Sequence, residues 1–464
     1  MPRTKPLEMV GVRRWSTMSI RLGGLCVITA LLGSHAPPVP PMSAVSSAGF
    51  TKPVSFAVLE DYDKGTPLSR VAADFALFRE LGVPVWRGSF GWDDYEPARG
   101  RFDFTWLNRF ATLADSMGIT LRPYLGYTPA WSARGGTDEN VWNDPPQRIE
   151  DWSRFVKTLA SSLRRHRSVV SFEIYNEENV PLWWDGSAAD YADVLATGAD
   201  AARNGNPRLR LLLGGMVWPD AGWLESACAR GQGTFDVLPF HAYPETWTPD
   251  SVTVETYLGP GFQRDFLEQA DRLCGKKPVW INETGFATSP GKTEEQQAQW
   301  WARAFATFLA APRVEHLGIY EIRDQEASTP VIGDSPNYYL GLIRRDGGKK
   351  LAFDTVKLLV RLFRSDSITV LDSMLSVRVT AGHAGKLYHH LFVRPDGRHL
   401  VFVWDQSGSP TVELKLPGPF ESATSFALNG QSSRWNDAEG GVIRSVTLHP
   451  GEVRIFETGS GGNP

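Results

Sequence analysis

The sequence of 464 residues is poor in cysteine, in excess charge of either sign and in long apolar runs. Its formal net charge of -4 and pI near 6.2 leave no basic stripe that could neutralise phosphates, which argues against a nucleic-acid partner. No apolar run reaches the length of about 20 residues that spans a bilayer. We therefore expect the mature chain to be soluble, without stable membrane insertion.

The 3 cysteines are spread widely along the chain. Cys26 lies in an apolar run near the N-terminus, whereas Cys228 and Cys274 fall near the ends of two predicted helices. Two thiols in an exported protein can form a disulfide. The sequence leaves this pairing open, because it does not supply the Cα separation that decides it.

Several catalytic motifs are also missing. There is no HExxH, and His389 and His390 are neighbours in an alternating strand, where their rings point to opposite faces, so we predict no metal site. A Gly-rich phosphate loop and a Ser-centred nucleophile elbow are absent too, which disfavours kinase, dinucleotide-binding and esterase functions. We predict no cofactor.

Residues 1–48 are typical of a signal peptide with a flexible N-terminal segment. Arg13, Arg14 and Arg21 precede an apolar run from Leu22 to Gly33, which small residues and prolines follow. Cleavage after Ala36 or after Ala48 is compatible with the pattern. We expect the protein to be secreted or periplasmic.

Residues 49–363 alternate short β-branched runs with longer amphipathic stretches, which indicates βα units around a parallel sheet. Eight runs fit a (β/α)8 TIM barrel. A doubly wound sheet would usually have a Gly-rich turn after its first strand, and no such turn follows the first run here. The predicted strands are Val54 to Leu59, Val83 to Gly88, Thr120 to Gly126, Val169 to Tyr175, Leu209 to Gly214, Phe235 to Phe240, Pro278 to Ile281 and His316 to Glu321.

Residues 364–458 change to strand-like alternation, which predicts a small C-terminal antiparallel β-sandwich domain. The clearest runs are Leu387 to Val393 and His399 to Trp404, and Asp396-Gly397 between them is a hairpin signal. Residues 459–464 are expected to form a tail.

Two glutamates follow barrel strands that lie across the barrel mouth from each other. Glu177 follows the fourth predicted strand and Glu283 the seventh, and reactive groups of such barrels lie at the C-terminal ends of strands. A protonated carboxyl group that serves the leaving oxygen and an ionised one that attacks the anomeric carbon are what glycoside hydrolysis needs. Repulsion between the two favours different protonation states. The sequence therefore predicts Glu177 and Glu283 as the catalytic pair.

Other residues near strand ends suit the same chemistry. Asn176 could bond a sugar 2-hydroxyl, Arg87 could hold a carboxylate ionised, and His241 and Tyr243 could orient the nucleophile or contact a hydroxyl. Trp is abundant, with 17 in the chain, and its flat face suits stacking on sugar rings. Seven Trp fall in loops after strands, and we expect Trp131 and Trp184 to contact substrate; the seven are Trp92, Trp131, Trp142, Trp183, Trp184, Trp218 and Trp247.

Several motifs resemble clan A glycoside hydrolases, the superfamily that includes cellulase-like family 5 and xylosidase-like family 39. The resemblance spans residues 53–360. The appended β domain makes the chain most similar to family 39 and its bacterial exopolysaccharide-cleaving relatives. It implies that Glu177 is the acid/base and Glu283 the nucleophile of a retaining enzyme. Many family 5 enzymes have Trp at the end of the eighth strand, where this chain has the stretch Ile319-Tyr-Glu-Ile-Arg-Asp324. The matching stretches are 92–97, 100–103, 129–131, 175–177, 240–243, 281–285 and 339–342.

The predicted function is thus retaining hydrolysis of O-glycosidic bonds in an extracytoplasmic poly- or oligosaccharide. A non-catalytic carbohydrate-binding barrel is one alternative, although binding alone does not require both glutamates. A transglycosylase that uses the same two residues is another, since it differs only in whether water or a sugar resolves the covalent intermediate. Sugar identity, linkage, endo or exo action and oligomeric state stay open.

Overall fold

The computed structural model describes residues 49–135, 140–229, 233–328 and 334–459. The predicted signal peptide at 1–48 and residues 460–464 of the predicted tail lie outside the described residues. No helix in the described ranges is both long and apolar enough to cross a bilayer.

Nine strands form one parallel sheet, which closes into a ring of eight strand positions. Their order is β6, β5, β4, β3, β2, β10, β9, β8, β7, and all pairs are parallel. The two end strands, β6 and β7, share the fifth position, because only residues 213–215 separate them and Leu212 bridges Val237 beside β8. After β1 (Phe50–Pro53), the barrel strands are β2 (Ser55–Leu59), β3 (Val85–Gly91), β4 (Thr120–Gly126), β5 (Ser171–Ile174), β6 (Arg210–Leu212), β7 (Met216–Val217), β8 (Leu238–Ala242), β9 (Val279–Thr284) and β10 (Val314–Ile319).

Helices connect these strands, as the sequence pattern predicts. In the amphipathic stretch after the first strand, the spacing of Val71, Phe75 and Leu81 predicts a helix from Leu68 to Leu81. The helix in the structure has these bounds, and Gly82 ends it with φ 83°. Thr293 begins another helix with a capping box. The helices are α1 (Leu68–Leu81), α2 (Trp92–Tyr95), α3 (Thr105–Met117), α4 (Ile149–Leu163), α5 (Ala188–Gly205), α6 (Ala221–Cys228), α7 (Val254–Tyr257), α8 (Gly259–Gly261), α9 (Glu268–Cys274), α10 (Glu294–Ala310) and α11 (Leu351–Phe363).

The C-terminal part forms two antiparallel sheets. One has the order β1, β11, β13, β14, β20, β16, β17, and the other has the order β12, β15, β19, β18. Its strands are β11 (Ser367–Val370), β12 (Ser376–Ala381), β13 (Leu387–Val393), β14 (His399–Asp405), β15 (Thr411–Lys415), β16 (Ser422–Phe426), β17 (Ser432–Trp435), β18 (Ala438–Glu439), β19 (Val442–Thr447) and β20 (Arg454–Gly459).

Strand β14 shows how this domain is held on the barrel. Val401 and Val403 pack between the two sheets, whereas Phe402 and Trp404, on the opposite face, belong to the core that includes the barrel. This follows from the period-2 alternation of a strand. Phe402 stacks on Phe363 of α11 at 5.6 Å between ring centroids. The β domain is thus packed against the barrel through an apolar face.

Two boundaries differ from the sequence prediction. β1 falls within the predicted barrel range of 49–363 but pairs antiparallel with β11 of the C-terminal sheet. The predicted fifth strand, Leu209 to Gly214, is instead two short strands around residues 213–215.

Cys228 and Cys274, whose pairing the sequence left open, form a disulfide between α6 and α9 with a Cα–Cα distance of 5.2 Å.

Candidate active site

The two predicted glutamates meet in the mouth of the barrel. Glu177 follows β5 and Glu283 lies near the end of β9; their exposed fractions are 9% and 8%, and both line one cavity at the barrel mouth. One carboxyl oxygen of each, together with a ring nitrogen of His241, lies within 4.8 Å of the others. Tyr175 and Glu177 have left-handed backbones, with φ 74° and φ 51°, a conformation that costs energy in non-glycine residues and is concentrated at functional sites.

Glu283 is held by two hydrogen-bond donors. Arg87 Nη1 donates to Glu283 Oε2 at 2.7 Å, and the hydroxyl of Tyr243 donates to Oε1 at 2.5 Å. Burial and the Glu283 charge raise the pKa of Tyr243 well above its usual value, which keeps this phenol a donor. Charge-assisted hydrogen bonds of this kind stabilise the ionised carboxylate.

Glu177 has a different partner. His241 Nδ1 lies 2.6 Å from Glu177 Oε1, and His241 Nε2 lies 3.3 Å from Arg87 Nη2. Because the guanidinium can only donate, Nε2 must accept, and the ring proton is assigned to Nδ1, facing Glu177. Burial and Arg87 lower the pKa of His241 well below its usual value, so the ring is neutral.

These contacts separate the pKa values of the two acids. Burial, and next the charge of Glu283, raise the pKa of Glu177 well above its usual range. Burial also raises the pKa of Glu283, but Arg87 and Tyr243 oppose it and the value is about 7. The pair therefore loses its first proton mainly from Glu283, while Glu177 stays protonated.

Asn176 completes the predicted polar group at the barrel mouth. Its Oδ1 accepts from Arg87 Nη2 at 3.1 Å, so the amide nitrogen is the donor that remains for a ligand. Asn176, His241 and Tyr243 line the cavity together with the two acids. Arg87 lies beneath it, 2% exposed. The structure thus brings together six of the eight predicted site residues.

The other two, Trp131 and Trp184, do not line the cavity. Trp131 donates through Nε1 to the carbonyl of Glu96 at 2.7 Å and packs edge-on against Trp92. Trp184 is 2% exposed and packs against Tyr175 at 4.8 Å between ring centroids. Both rings serve the packing of loops, which corrects the prediction that they contact substrate.

Other tryptophans take their place in the wall. The cavity has a volume of about 960 Å³, and Trp183, Trp218 and Trp247 line it. Trp218 and Trp247 are 43% and 39% exposed, so their rings offer area to a ligand. All three are in loops after strands, but so are the packed ones, and ring exposure depends on contacts that the local sequence does not specify.

Two further buried acids lie next to the site and were not predicted from the sequence. Glu173, inside β5, is 2% exposed and binds Arg87 through both carboxyl oxygens. Glu178, in the loop after β5, is fully buried, and burial raises its pKa to about 8. A charged residue inside an apolar strand was the available signal for Glu173.

A third acidic group lies under the end of β10. Tyr320 lines the cavity and packs edge-on against Tyr243 at 6.0 Å between ring centroids. Glu321, which also lines the cavity, is 1% exposed, and burial and the charge of Glu60 raise its pKa well above its usual range. Arg323 Nε donates to Asp74 Oδ1 at 2.5 Å rather than to Glu321.

Glu177, His241 and Glu283 are also the one group in the described ranges that could supply three metal ligands. Arg87, however, has its positive charge 2.7 Å from Glu283 Oε2. A divalent cation at that oxygen would meet this guanidinium at close range, and like charges there repel strongly. The residues therefore fit a proton-transfer site better than a metal site.

Comparison with known proteins finds similarity to glycoside hydrolases, in a segment of the sequence and in the fold. A family model described as beta-galactosidase, of glycoside hydrolase family 42, matches residues 62–139. Beta-galactosidase BgaB of a Geobacillus species is 27% identical over 123 residues, which cover 22% of this chain and 18% of the relative. The matched region thus spans less than a fifth of that curated relative.

Solved structures match much more of the chain. A family 39 glycoside hydrolase from Bacteroides cellulosilyticus has a TM-score of 0.65 at 18% identity, covering 88% of this chain and 81% of that one. A family 39 beta-xylosidase from Caulobacter crescentus has a TM-score of 0.61 at 16% identity, with 89% and 97% covered. The fold is therefore a (β/α)8 barrel with a C-terminal β domain, as in these clan A glycoside hydrolases, and the resemblance inferred from the sequence is confirmed at the level of the fold.

Proposed function

We propose that this chain is a retaining glycoside hydrolase in which Glu177 is the acid/base and Glu283 the nucleophile. The observation that carries the proposal is the asymmetric pair of buried acids. Their oxygens lie within 4.8 Å of each other, but only Glu283 receives hydrogen bonds from Arg87 and Tyr243. Retaining enzymes need carboxyl groups about 5–5.5 Å apart, whereas inverting enzymes leave about 6.5–9.5 Å for a water molecule.

The first step uses the protonation states described above. A Glu283 oxygen attacks the anomeric carbon and forms a covalent ester while the bond to the leaving oxygen breaks. The proton of Glu177 moves to that oxygen, so no charged alkoxide has to leave. His241 Nδ1 holds Glu177 Oε1, which leaves Oε2 to carry the proton that is transferred.

The second step reverses the roles. Glu177, now a carboxylate, takes a proton from a water molecule, whose oxygen attacks the anomeric carbon and displaces Glu283. Arg87 and Tyr243 stabilise the departing carboxylate through the contacts that held it before the reaction. Two displacements at one carbon return the starting configuration.

The cavity and the relatives both support a proposal for the substrate class. Exposed Trp218 and Trp247 rings in the wall support stacking on sugar faces. The similar proteins include beta-xylosidases, a beta-galactosidase and an exo-beta-1,4-mannosidase. We therefore propose a β-linked oligo- or polysaccharide as the substrate.

The site of action proposed is outside the cytoplasm. The arginines and the apolar run of residues 13–33 support export, and so does the Cys228–Cys274 disulfide, because disulfides persist in oxidising compartments. Mass spectrometry of the N-terminus of protein recovered from medium or periplasm tests this. Recovery of the uncleaved chain from the cytoplasm alone would contradict it.

Activity is tested with a panel of aryl β-glycosides and defined oligosaccharides. On the substrate that wild type cleaves, Glu177→Gln and Glu283→Gln should each lose several orders of magnitude in kcat. Glu178→Gln is the matched control, because Glu178 is a neighbouring buried glutamate that does not line the cavity. Full activity in either of the first two variants would end the proposal.

Retention and the role of Glu283 need separate measurements. A 2-deoxy-2-fluoro glycoside should trap the covalent ester, and peptide mass spectrometry should find the added mass on Glu283. Azide should rescue Glu283→Ala with a product of inverted configuration. Free sugar as the main product indicates hydrolysis, whereas transfer to added sugars at low substrate conversion would indicate a transglycosylase. Sugar binding without any product would favour the carbohydrate-binding alternative.

A further inference from the structure

We propose that Glu173 is a positioning residue. It limits Arg87 to one hydrogen bond with Glu283 and so keeps the nucleophile available for attack. The inference rests on the proposed function, because it concerns the same pair of acids. Glu173 lies below the cavity, which it does not line, and so acts through Arg87 and Asn282 rather than on substrate.

Glu173 accepts four hydrogen bonds in the barrel interior. Its Oε1 accepts from Arg87 Nη2 at 2.7 Å and from the Gly215 amide at 3.0 Å. Its Oε2 accepts from Arg87 Nε and from Asn282 Nδ2, both at 2.9 Å. Since all four partners donate, the group must be the ionised carboxylate, which accepts only.

The fork of Arg87 is therefore occupied. Nε and Nη2 bind Glu173 in a bidentate pair, and Nη1 alone reaches Glu283, at 2.7 Å. Bidentate pairs between Arg and carboxylate are stronger and geometrically more rigid than single contacts. Without Glu173, the same fork could bind both oxygens of Glu283 and draw the nucleophile into a tight ion pair. The anchored geometry leaves Glu283 charged but only singly bound by Arg87.

The same carboxylate joins three strand ends. Asn282 precedes the nucleophile in β9, and Gly215 lies in the break between β6 and β7, so both backbones are tied to β5. Gly215 approaches closely enough that a Cβ there would lie 2.1 Å from His241 Nε2. A side chain at this position would displace the ring that holds Glu177.

The negative charge of Glu173 affects the pKa values of Glu177 and Glu283 in a direction that can be measured. Arg87 lowers the pKa of both acids, whereas the negative charge of Glu173 raises the pKa of both. Removal of that charge leaves Arg87 less compensated, so both pKa values should fall. The two limbs of the pH profile of kcat should then move together toward acid, which a loss of packing alone would not cause.

The variant is Glu173→Gln, studied in the full chain on the substrate that wild type cleaves. We expect kcat to fall on the order of tenfold to a hundredfold, with little change in KM. Both limbs of the pH profile of kcat should move to lower pH by about one unit. Glu173→Asp keeps the charge and should lower kcat without this common shift. Unmoved limbs in Glu173→Gln, or the same shift in both variants, would overturn the proposal.

Glu255→Gln is the matched control for a lost buried ion pair. Glu255 binds Arg303 at 3.0 Å and Trp404 at 2.9 Å, away from the cavity, so its loss should lower stability and leave the pH profile in place. Carbon-13 carboxyl NMR titration of Glu177 and Glu283 gives a readout without substrate. If wild type cleaved nothing, the proposed function would fail, while lower pKa values in Glu173→Gln would still support the role of Glu173.

Discussion

The hydroxyl of Tyr243 offers a sharp test of how Glu283 is kept ionised. It donates to Glu283 Oε1 at 2.5 Å inside the barrel, and it lowers the pKa of an acid that burial raises. A hydrogen bond to a charged group contributes about 1.5–3 kcal/mol, which corresponds to roughly one to two pKa units at 1.36 kcal/mol per unit. Tyr243→Phe should therefore raise the pKa of Glu283 from about 7 by at least one unit.

The assay is the pH dependence of kcat/KM on the substrate identified in the panel. The active form has Glu283 ionised and Glu177 protonated, so a higher pKa of Glu283 moves the acid limb to higher pH. If that limb moves by one pH unit, the rate at pH values below it falls about tenfold. The bell should also narrow and its maximum should fall, because the alkaline limb belongs mainly to Glu177.

Tyr257→Phe is the control for loss of a phenol in the same cavity. Its hydroxyl donates to the carbonyl of His241 at 2.9 Å and not to a carboxylate. The acid limb of the pH profile of Tyr257→Phe should stay at its wild-type position. An acid limb that does not move in Tyr243→Phe, or that moves as far in the control, would refute the assignment of Glu283 as the acid titrated there.

Three further changes test other parts of the structure. Trp218→Ala should raise KM for oligosaccharides, since a stacking contact of about 1 kcal/mol is lost with the aromatic ring. Trp184→Ala should mainly lower the melting temperature. Equal effects of the two variants on KM would contradict the inference that the exposed Trp218 ring contacts substrate. Glu178→Gln should stabilise the fold, because the pKa of Glu178 rises from 4.5 to about 8 on folding and the wild-type fold therefore loses stability as pH rises through that window. Urea unfolding should show a much larger gain over wild type at pH 8 than at pH 5, and equal gains would contradict this assignment. Cys228→Ser removes a disulfide between residues 46 positions apart and should lower the free energy of unfolding by about 4 kcal/mol, and calorimetry that found no loss would contradict a structural role for the bridge.

The barrel was largely predictable because its signals are local. Buried parallel strands are short apolar runs, and the predicted strand from Thr120 to Gly126 and the helix from Leu68 to Leu81 have the same bounds in the structure. Strand β1 was missed as part of the C-terminal sheet, because its partner β11 is more than 300 residues away. Pairing at that distance leaves no local pattern.

The choice between tryptophans shows the same limit at the site. Trp183 and Trp184 are adjacent in one loop, yet the first lines the cavity and the second is buried against Tyr175. Loop position alone could not separate them, since one residue along the chain turns the ring to a different set of neighbours. Glu178, next to Glu177, is likewise buried outside the cavity lining, which its sequence position does not reveal.

What the sequence determined by itself is the barrel pattern and the two acids at the ends of its fourth and seventh strands. Strand period and strand-end position are properties of short segments, so they can be read along the chain. Tertiary structure decided which acid is protonated, because the pKa difference arises from burial together with Arg87, Tyr243 and His241 on other strands or strand ends. Desolvation and charge proximity are set only when distant segments meet in the closed barrel.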